Sequence, residues 1–341
     1  MPPLQGRMRG AAKLSVCQPP PHVQNAIPKG ELALSKKIWP LIGLVAVVVS
    51  IWLLYHELRD ISFAELGDSF AAIQTRDWAM AIGATLVAYA ALAGYDHIAL
   101  THLRRPVSWL FVTLASFTAY ALSHNIGASV FSGAVVRYRA YSSRGLTASE
   151  IGMLVAFCSF TFALGTLLLT GLVLILEPEV AERFVGLLPV EASAATGGAI
   201  LALVALYVAG SWLGLRPFRI GSFELQYPRL PIVVRQLLIG PLEIAAAAAI
   251  VYFALPAAGN PGYPIVLGIF LISFSIALIS HAPGGIGVLE ITFLTGLPEM
   301  DPADVLAALI VFRLLYLIIP FMLSLVTIVL FERAQYRRDG R

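Results

Sequence analysis

Charged side chains are scarce in this sequence: Asp, Glu, Lys and Arg make up 13% of its 341 residues, whereas 58% are hydrophobic. A soluble domain carries about 25% charged residues, so this composition excludes an ordinary soluble protein and predicts a membrane protein. Apolar runs of roughly 20 residues, the length that spans a bilayer, recur along the whole sequence. No stretch is left over for a soluble catalytic domain, and a net charge of +3 does not indicate a nucleic-acid partner.

Cysteine is also nearly absent. The only two cysteines are Cys17 and Cys158, and Cys158 lies within an apolar run. This pair can build neither a disulfide framework nor a thiolate metal site. The sequence further lacks a glycine-rich phosphate loop ending in Gly-Lys-Ser/Thr and a His-Glu-x-x-His pair. We therefore predict no ATP-driven pumping by this chain, no metal site, no cofactor and no catalytic residue.

What the sequence has in abundance is apolar segments separated by short polar connectors. We predict a single transmembrane domain over 38–331, preceded by a flexible cytosolic tail at 1–37 and followed by a cytosolic tail at 332–341. The apolar segments within the domain are 38–55, 78–100, 107–136, 151–176, 195–215, 237–255, 264–297 and 305–331.

The basic residues are unevenly distributed among the connectors. The two tails and three connectors together hold 19 of the 23 Lys and Arg residues. Basic connectors stay on the cytoplasmic side of a membrane, so this set is predicted to be cytoplasmic together with both termini. The three basic connectors are 101–106, 137–149 and 216–235.

Two of the apolar segments cannot be simple spans under this assignment. Segment 107–136 has basic connectors on both sides, and segment 264–297 has acidic or neutral connectors on both sides. Each must enter the membrane and return, and each contains a polar, glycine-containing break, at 123–127 and at 280–287. We predict an all-α membrane protein of six transmembrane helices plus two oppositely oriented re-entrant helical hairpins, whose breaks face the protein interior.

The two breaks resemble each other. Aligning the Ser-His pair at 123–124 with that at 280–281 also superimposes Gly127 on Gly284. This match predicts an inverted repeat, in which broken helices meet near the midplane and build the substrate site. The alternative is two pairs of short tilted helices that use glycine for close packing. The predicted repeat halves are residues 38–176 and 195–331.

Ionisable residues inside apolar segments are costly and must find partners. Arg313 lies about 14 Å deep at 1.5 Å per residue, and Glu290 or Glu243 is its expected counter-ion. Either carboxylate could attract a cationic headgroup or carry a coupling proton, or could simply clasp two helices together. Asp96 and His97 are expected close enough to the cytoplasmic surface to extend their polar ends towards it.

The breaks add further polar side chains. His124 and His281 are expected to bond neighbouring backbone rather than a metal, because no carboxylate or thiolate pattern accompanies them. Arg137 and Arg139 follow the first break on the cytoplasmic side, where anionic headgroups belong. Helix orientation alone would also explain these two arginines.

Two stretches resemble the membrane region of bacterial lysylphosphatidylglycerol synthases, the flippase part of the multiple peptide resistance factor. The first is Ser-His-Asn-Ile-Gly at 123–127 continuing through Gly-Ala-Val-Val-Arg-Tyr-Arg-Ala-Tyr at 133–141 to Gly145-Leu146. The second is His-Ala-Pro-Gly-Gly-Ile-Gly-Val-Leu-Glu at 281–290. Over 38–331 this resemblance implies a bacterial inner-membrane protein that moves aminoacylated phospholipid, or another lipid, between leaflets.

Full-length members of that family continue into more helices and a cytosolic aminoacyl-transfer domain, whereas this sequence stops at Arg341. We therefore expect no synthase activity, and a standalone member whose partners are membrane phospholipids and a separate lipid-modifying enzyme. The alternatives are a proton-coupled transporter of a small solute and a non-transporting scaffold for such an enzyme. The predicted substrate pathway comprises His124, Asn125, Arg137, Arg139, Glu243, His281, Gly284, Gly285, Glu290, Arg313 and Asp96.

Overall fold

The computed structural model of the protein describes residues 63–126, 129–184, 193–214, 218–220, 223–225, 227–280 and 283–339. All of them belong to one compact unit, 42–341. The predicted first span at 38–55, the predicted tail at 1–37 and the predicted pathway residue His281 lie outside the described residues.

The described residues are almost entirely helical. A short antiparallel hairpin pairs β1 (Phe218–Ile220) with β2 (Phe223–Leu225) between two of the long helices. The predicted all-α class is confirmed. The helices in chain order are α1 (Phe63–Ala72), α2 (Thr75–His102), α3 (Trp109–Ile126), α4 (Ser129–Ser142), α5 (Ala148–Leu176), α6 (Pro178–Glu182), α7 (Ala194–Trp212), α8 (Leu230–Ala254), α9 (Tyr263–Ser280), α10 (Val288–Gly296), α11 (Pro302–Phe312) and α12 (Ile319–Asp339).

Six candidate membrane spans occur among the described residues: α2, α5, α7, α8, α9 and Pro302–Phe331. The last joins α11 to α12 through a π-helical segment, Arg313–Ile318. Five candidates contain or overlap predicted full spans. The sixth, α9, was predicted as the first limb of a hairpin, but its 18 residues are long enough to cross alone. The charges of the connectors predict on which side of the membrane a segment begins and ends, but not how long each helix of a hairpin is.

The second predicted break separates two consecutive helices, α9 and α10, which pack against each other. Of the first predicted break, residues 123–126 instead belong to the end of α3, and α3 packs against α4. At the second break, Gly284, Gly285 and Gly287 have φ of 59, 63 and 79°. Only glycine adopts such left-handed angles without a steric cost, so these residues end one helix and allow the next to begin. The re-entrant course of the two helix pairs and their relation as an inverted repeat stay predictions.

Small residues let the long helices approach closely at the centre. α2 runs along α8, and α5 crosses α8 where Gly165 meets Gly240. A Cβ on Gly165 would lie only 2.5 Å from the Gly240 carbonyl carbon. In a lipid environment, such backbone proximity supplies much of the packing energy between helices. Large exposed apolar side chains, such as Leu86, Leu206 and Leu323, cover the outer helix faces.

Helix ends in the connectors are capped by side chains. Thr147 and Glu150 form a reciprocal capping box at the start of α5, and Arg105 pairs with Glu150 at 2.6 Å. Asp301 caps the span that begins at Pro302. These caps satisfy backbone N–H groups that a helix start leaves unpaired, and they fix where the spans leave the connectors.

Candidate functional site

Arg313 and Glu290 form an ion pair at the glycine break between α9 and α10. Arg313 donates from Nη2 and Nε to Glu290 Oε1 at 2.6 and 2.9 Å. The same guanidinium donates from Nη1 to the Gly284 carbonyl at 2.8 Å and from Nη2 to the Gly285 carbonyl at 3.4 Å. Of the two counter-ions offered by the sequence, Glu290 is therefore the one that pairs with Arg313, and Glu243 is not.

The start of α10 holds Glu290 in place. Its Oε2 accepts the Gly287 N–H at 2.7 Å, so the carboxylate caps the helix that carries it. A carboxylate in the first helical turn is favoured by the positive end of the helix dipole. Glu290 thus has one oxygen for the backbone and the other for Arg313, and the two bonds keep the ion pair beside the break.

A second ion pair joins Asp96 of α2 to Arg137 of α4. Arg137 Nη2 and Nε donate to Asp96 Oδ1 at 2.8 and 3.2 Å, and Nε also lies 3.1 Å from Oδ2. Tyr141 donates to Oδ2 at 2.8 Å, and the guanidinium lies 4.5 Å from the ring centre of Tyr120. Cys158 of α5 donates weakly to Oδ1 at 3.4 Å. Every charged atom of Asp96 is therefore satisfied inside the bundle.

The two ion pairs differ in accessibility. The side chains of Arg313 and Glu290 are 17% and 11% exposed, whereas those of Arg137 and Asp96 are 5% and 0% exposed. Exposed apolar side chains lie close to the Arg313 pair along the chain: Ile286 in the break and Ile318 at the end of the π segment. The Arg313 pair is therefore partly accessible, and the Asp96 pair lies inside the bundle.

Glu243 is the third buried carboxyl, and its environment is different again. It lies in the middle of α8 and is 3% exposed. Oε1 accepts from the Tyr316 hydroxyl at 2.6 Å, and Oε2 lies 3.4 Å from the Tyr95 hydroxyl. Within the described residues no Lys, Arg or His pairs with it. Glu243 is held by two phenols instead of a cation.

The π segment, Arg313–Ile318, links two of the buried carboxyls, because its Arg313 pairs with Glu290 and its Tyr316 donates to Glu243. A π-helix breaks the regular hydrogen-bond ladder and often occurs at functional positions. Tyr89 donates to the Tyr316 carbonyl at 2.9 Å, and Asn125 donates to the Leu317 carbonyl at 3.1 Å. Side chains of α2 and α3 therefore satisfy carbonyls of the segment that begins at Arg313, and the predicted pathway residue Asn125 anchors α3 to it.

His124 of α3 stacks on the ring of Tyr316, with ring centres 5.2 Å apart and planes 20° apart. Its buried Nδ1 has no hydrogen-bond partner among the described residues. The predicted bond from His124 to neighbouring backbone is therefore not found for this nitrogen. His124 also lies beside the ring of Tyr120 in the same helix, with ring centres 5.9 Å apart. Tyr316 comes from a distant segment of the sequence.

The side chains of Asp96, Arg137 and Arg139 do not all point where the sequence predicts. Asp96 was expected to reach towards the membrane surface, but it is fully buried, because α2 turns it towards α4 and α5. Arg137 was expected among headgroups, but it is turned inward onto Asp96 for the same reason. Arg139 is exposed, as an interfacial arginine would be. Depth along a helix follows from residue counting, whereas direction around it depends on packing.

Sequence reasoning missed the tyrosines that complete the site. Each lies within an apolar helix at a position where a hydroxyl needs a partner, and that placement was the available signal. They donate to buried carboxylates or freed carbonyls. The residues are Tyr89, Tyr95, Tyr141 and Tyr316. Among the described residues, no group of three metal-ligating side chains comes together.

An open cleft lies at the end of α2, where the chain turns towards α3. Arg104 adopts a φ of 55°, a left-handed conformation that is uncommon for a residue with a side chain. The cleft has a volume of about 290 Å³ and includes His97, Thr101 and Arg105 in its lining. His97 is half-buried there. The lining is basic and comes from the last turns of α2 and from the connector that follows, and it contains none of the three buried carboxyls.

The helices and their buried ion pairs define a polytopic helical membrane protein. The chain belongs to the family described as the lysylphosphatidylglycerol synthase TM region, whose model matches residues 41–324. The family predicted from the sequence is therefore confirmed.

The relatives of this chain include proteins of similar length and much longer enzymes. An uncharacterized protein of Synechocystis, slr0712, is 31% identical over 90% of this chain and 95% of its own length. The inner membrane protein YbhN of Escherichia coli is 28% identical over 88% of this chain and 93% of its own length. A phosphatidylglycerol lysyltransferase of Staphylococcus haemolyticus is 25% identical over 86% of this chain, which spans only 34% of that enzyme.

Proposed function

We propose that this protein moves a phospholipid between the leaflets of the bacterial inner membrane, with the headgroup passing the Arg313–Glu290 pair. The observation that carries the proposal is the position of this pair. It is partly accessible at a helix break, and exposed apolar side chains lie close to it along the chain. A site that combines charge and lipid-facing surface suits an amphipathic ligand better than a soluble one.

The chemistry of Arg313 fits a phosphate. A guanidinium presents several N–H donors that match the oxygens of carboxylate and phosphate alike. Arg313 already donates to one carboxylate and two carbonyl oxygens. A lipid phosphate can exchange with these acceptors without leaving any donor unpaired. Glu290, released from Arg313, would then face a cationic part of the headgroup, such as an ammonium.

The substrate class follows from the relatives and from the site together. Some relatives are named phosphatidylglycerol lysyltransferases, and the matched family model is the transmembrane region. We therefore propose phosphatidylglycerol and its aminoacylated form as the first headgroups to test. A separate lipid-modifying enzyme would supply the aminoacylated lipid, and the proposal assigns no catalytic step to this chain.

The membrane and the orientation are part of the proposal. The name of the Escherichia coli relative supports placement in the inner membrane. The distribution of Lys and Arg supports cytoplasmic termini. Lipid enters from the cytoplasmic leaflet in this arrangement, its headgroup passes through the protein interior, and its acyl chains stay in the bilayer.

The test is leaflet exchange in liposomes that contain the purified protein. Fluorescent phosphatidylglycerol, its lysyl derivative and a neutral lipid would each be followed by quenching the outer leaflet. The proposal predicts faster exchange of the phosphatidylglycerol lipids than in protein-free liposomes. Folded protein that exchanges none of them would contradict it. Uptake of a soluble solute, independent of lipid composition, would instead support a solute transporter, and inactivity in both assays would support a scaffold.

A further inference from the structure

Glu243 differs from the other two buried carboxyls because it lacks a cation. Asp96 and Glu290 each pair with an arginine at 2.8 Å or less. Within the described residues Glu243 has only the hydroxyls of Tyr95 and Tyr316. A buried carboxylate without a cation is costly, whereas the neutral acid is not. The surroundings of Glu243 therefore suit a carboxyl that exchanges a proton.

The hydrogen bonds around Glu243 can serve both protonation states. Tyr95 has one hydroxyl hydrogen but two acceptors within reach, the Gly240 carbonyl at 3.3 Å and Glu243 Oε2 at 3.4 Å. When Glu243 is ionised, Tyr95 can donate to Oε2. When Glu243 is protonated, Tyr95 can donate to Gly240 and accept from the carboxyl. The heavy atoms need not move for the proton to bind.

Among the described residues, only the hydroxyls of Tyr95 and Tyr316 hydrogen-bond to the Glu243 carboxyl. The helices packed against α8 contribute phenols, a thiol and Asp96, whose carboxylate is paired with Arg137. α11 adds Asp304, which lies in its first turn and not in the middle of the helix. His124 of α3 stacks on Tyr316 and does not contact Glu243. The phenols and the thiol are Tyr89 and Tyr95 of α2, Cys158 of α5, Tyr207 of α7, Tyr263 of α9 and Tyr316.

A proton on Glu243 would be felt at Arg313. Tyr316, which donates to Glu243, lies in the π segment that begins at Arg313. A hydrogen bond to an ionised acceptor is roughly twice as strong as one to a neutral acceptor. Protonation therefore weakens the hold of α8 on the π segment. Because a π-helical turn spans five residues between bonded groups and an α-helical turn four, a change from one to the other would rotate the segment and move Arg313 with it.

We propose that Glu243 is a proton-binding site that couples lipid movement to the proton gradient. One proton enters the carboxylate from one aqueous side and leaves the carboxylic acid towards the other, once in each transport cycle. This inference rests on the proposed function, because the movement that it drives is that of the lipid past Arg313.

The test uses full-length protein in liposomes with labelled phosphatidylglycerol and an imposed pH gradient of about one unit. One such unit corresponds to about 1.4 kcal/mol per proton, which can drive about a tenfold ratio of labelled lipid between leaflets. Wild type should build this asymmetry and lose it when a protonophore is added. Glu243→Gln should lose the asymmetry, while Glu182→Gln, a change at an exposed carboxyl, should behave as wild type.

A spectroscopic arm reports proton binding without transport. The infrared difference between acidic and alkaline samples should contain a protonated-carboxyl band that is absent in Glu243→Gln and present in Glu182→Gln. Tyr316→Phe removes the 2.6 Å bond, so it should shift the frequency of this band. Gln is close in shape to Glu, and equal elution of the variants in gel filtration would confirm that they fold.

The outcomes separate this inference from the proposed function. Wild type that exchanges lipid equally with and without the gradient would overturn proton coupling and leave lipid translocation standing. Full gradient response in Glu243→Gln would also overturn it. Wild type that moves no lipid would overturn the proposed function, and proton coupling of lipid movement with it.

Discussion

Arg137 and Arg313 have different partners although both lie in the helical bundle. Arg137 is satisfied by Asp96 and by the face of Tyr120, and it is closed off from the surroundings. Arg313 divides its donors between Glu290 and the carbonyls of a helix break. A closed pair has a structural role, whereas a pair that shares donors with backbone can exchange partners. We assign a structural role to the first pair and propose substrate contact for the second.

Replacing Asp96 tests the structural half of this assignment. Asp96→Asn leaves Arg137 buried without its counter-charge, and breaking such a pair costs about 3 to 5 kcal/mol. The free energy of unfolding in mixed detergent should fall by that order. A double variant with Arg137→Met, which removes both charges, should recover part of the loss. Unchanged stability in Asp96→Asn would show that the pair does not hold the bundle together.

At this scale the sequence predicts partners better than directions. Arg313 needed a counter-ion, and only Glu243 and Glu290 were at suitable depth, so the observed pair was among the predictions. Asp96 and Arg137 were predicted to face the surface because residue counting gives depth alone. The Tyr316 contact to Glu243 could not be predicted, because it joins residues 73 positions apart through packing.

Among the helices, the close crossing of α5 and α8 depends on glycine. Gly165→Ala would force a Cβ against Gly240 where α5 crosses α8. Overpacking of this kind costs about 1 to 3 kcal/mol, so the thermal unfolding midpoint should fall.

The matched control, Gly152, lies near the start of the same helix. Gly152 of α5 has open space around its Cβ position, so Gly152→Ala should be neutral or stabilising by up to about 1 kcal/mol. Equal effects of the two alanines would indicate that helix propensity, and not the α5–α8 contact, determines the cost.

Apolar runs predicted the helices, and the polar glycine run at 280–287 predicted the break between α9 and α10. The second break is confirmed in detail, since its glycines have the left-handed angles that end a helix. The π segment has no sequence signature, because residues 313–318 are as apolar as their neighbours except for Arg313 and Tyr316. Its formation depends on donors from α2 and α3 that satisfy its carbonyls.

Charge distribution predicts the orientation of the whole molecule. The connector after α4 is basic, and the connector between α8 and α9 has no Lys or Arg. Ser143→Cys and Ala258→Cys each add one thiol in these two connectors, in a Cys17→Ser background whose remaining thiol, Cys158, is buried. A membrane-impermeant thiol reagent should label Ala258→Cys in intact spheroplasts and Ser143→Cys only after lysis. The reverse pattern would invert the predicted orientation.

Leaflet exchange with altered ion pairs tests the central claim that lipid passes Arg313. Arg313→Ala and Glu290→Gln should each lower the exchange of labelled phosphatidylglycerol at least about tenfold, the effect of losing about 1.4 kcal/mol. Arg183→Ala is the matched control, because Arg183 also donates to a carboxylate, Glu299, and to a glycine carbonyl, Gly296, but in a connector. Exchange that falls only at Arg313 and Glu290 supports the claim, and wild-type exchange in those two variants would contradict it.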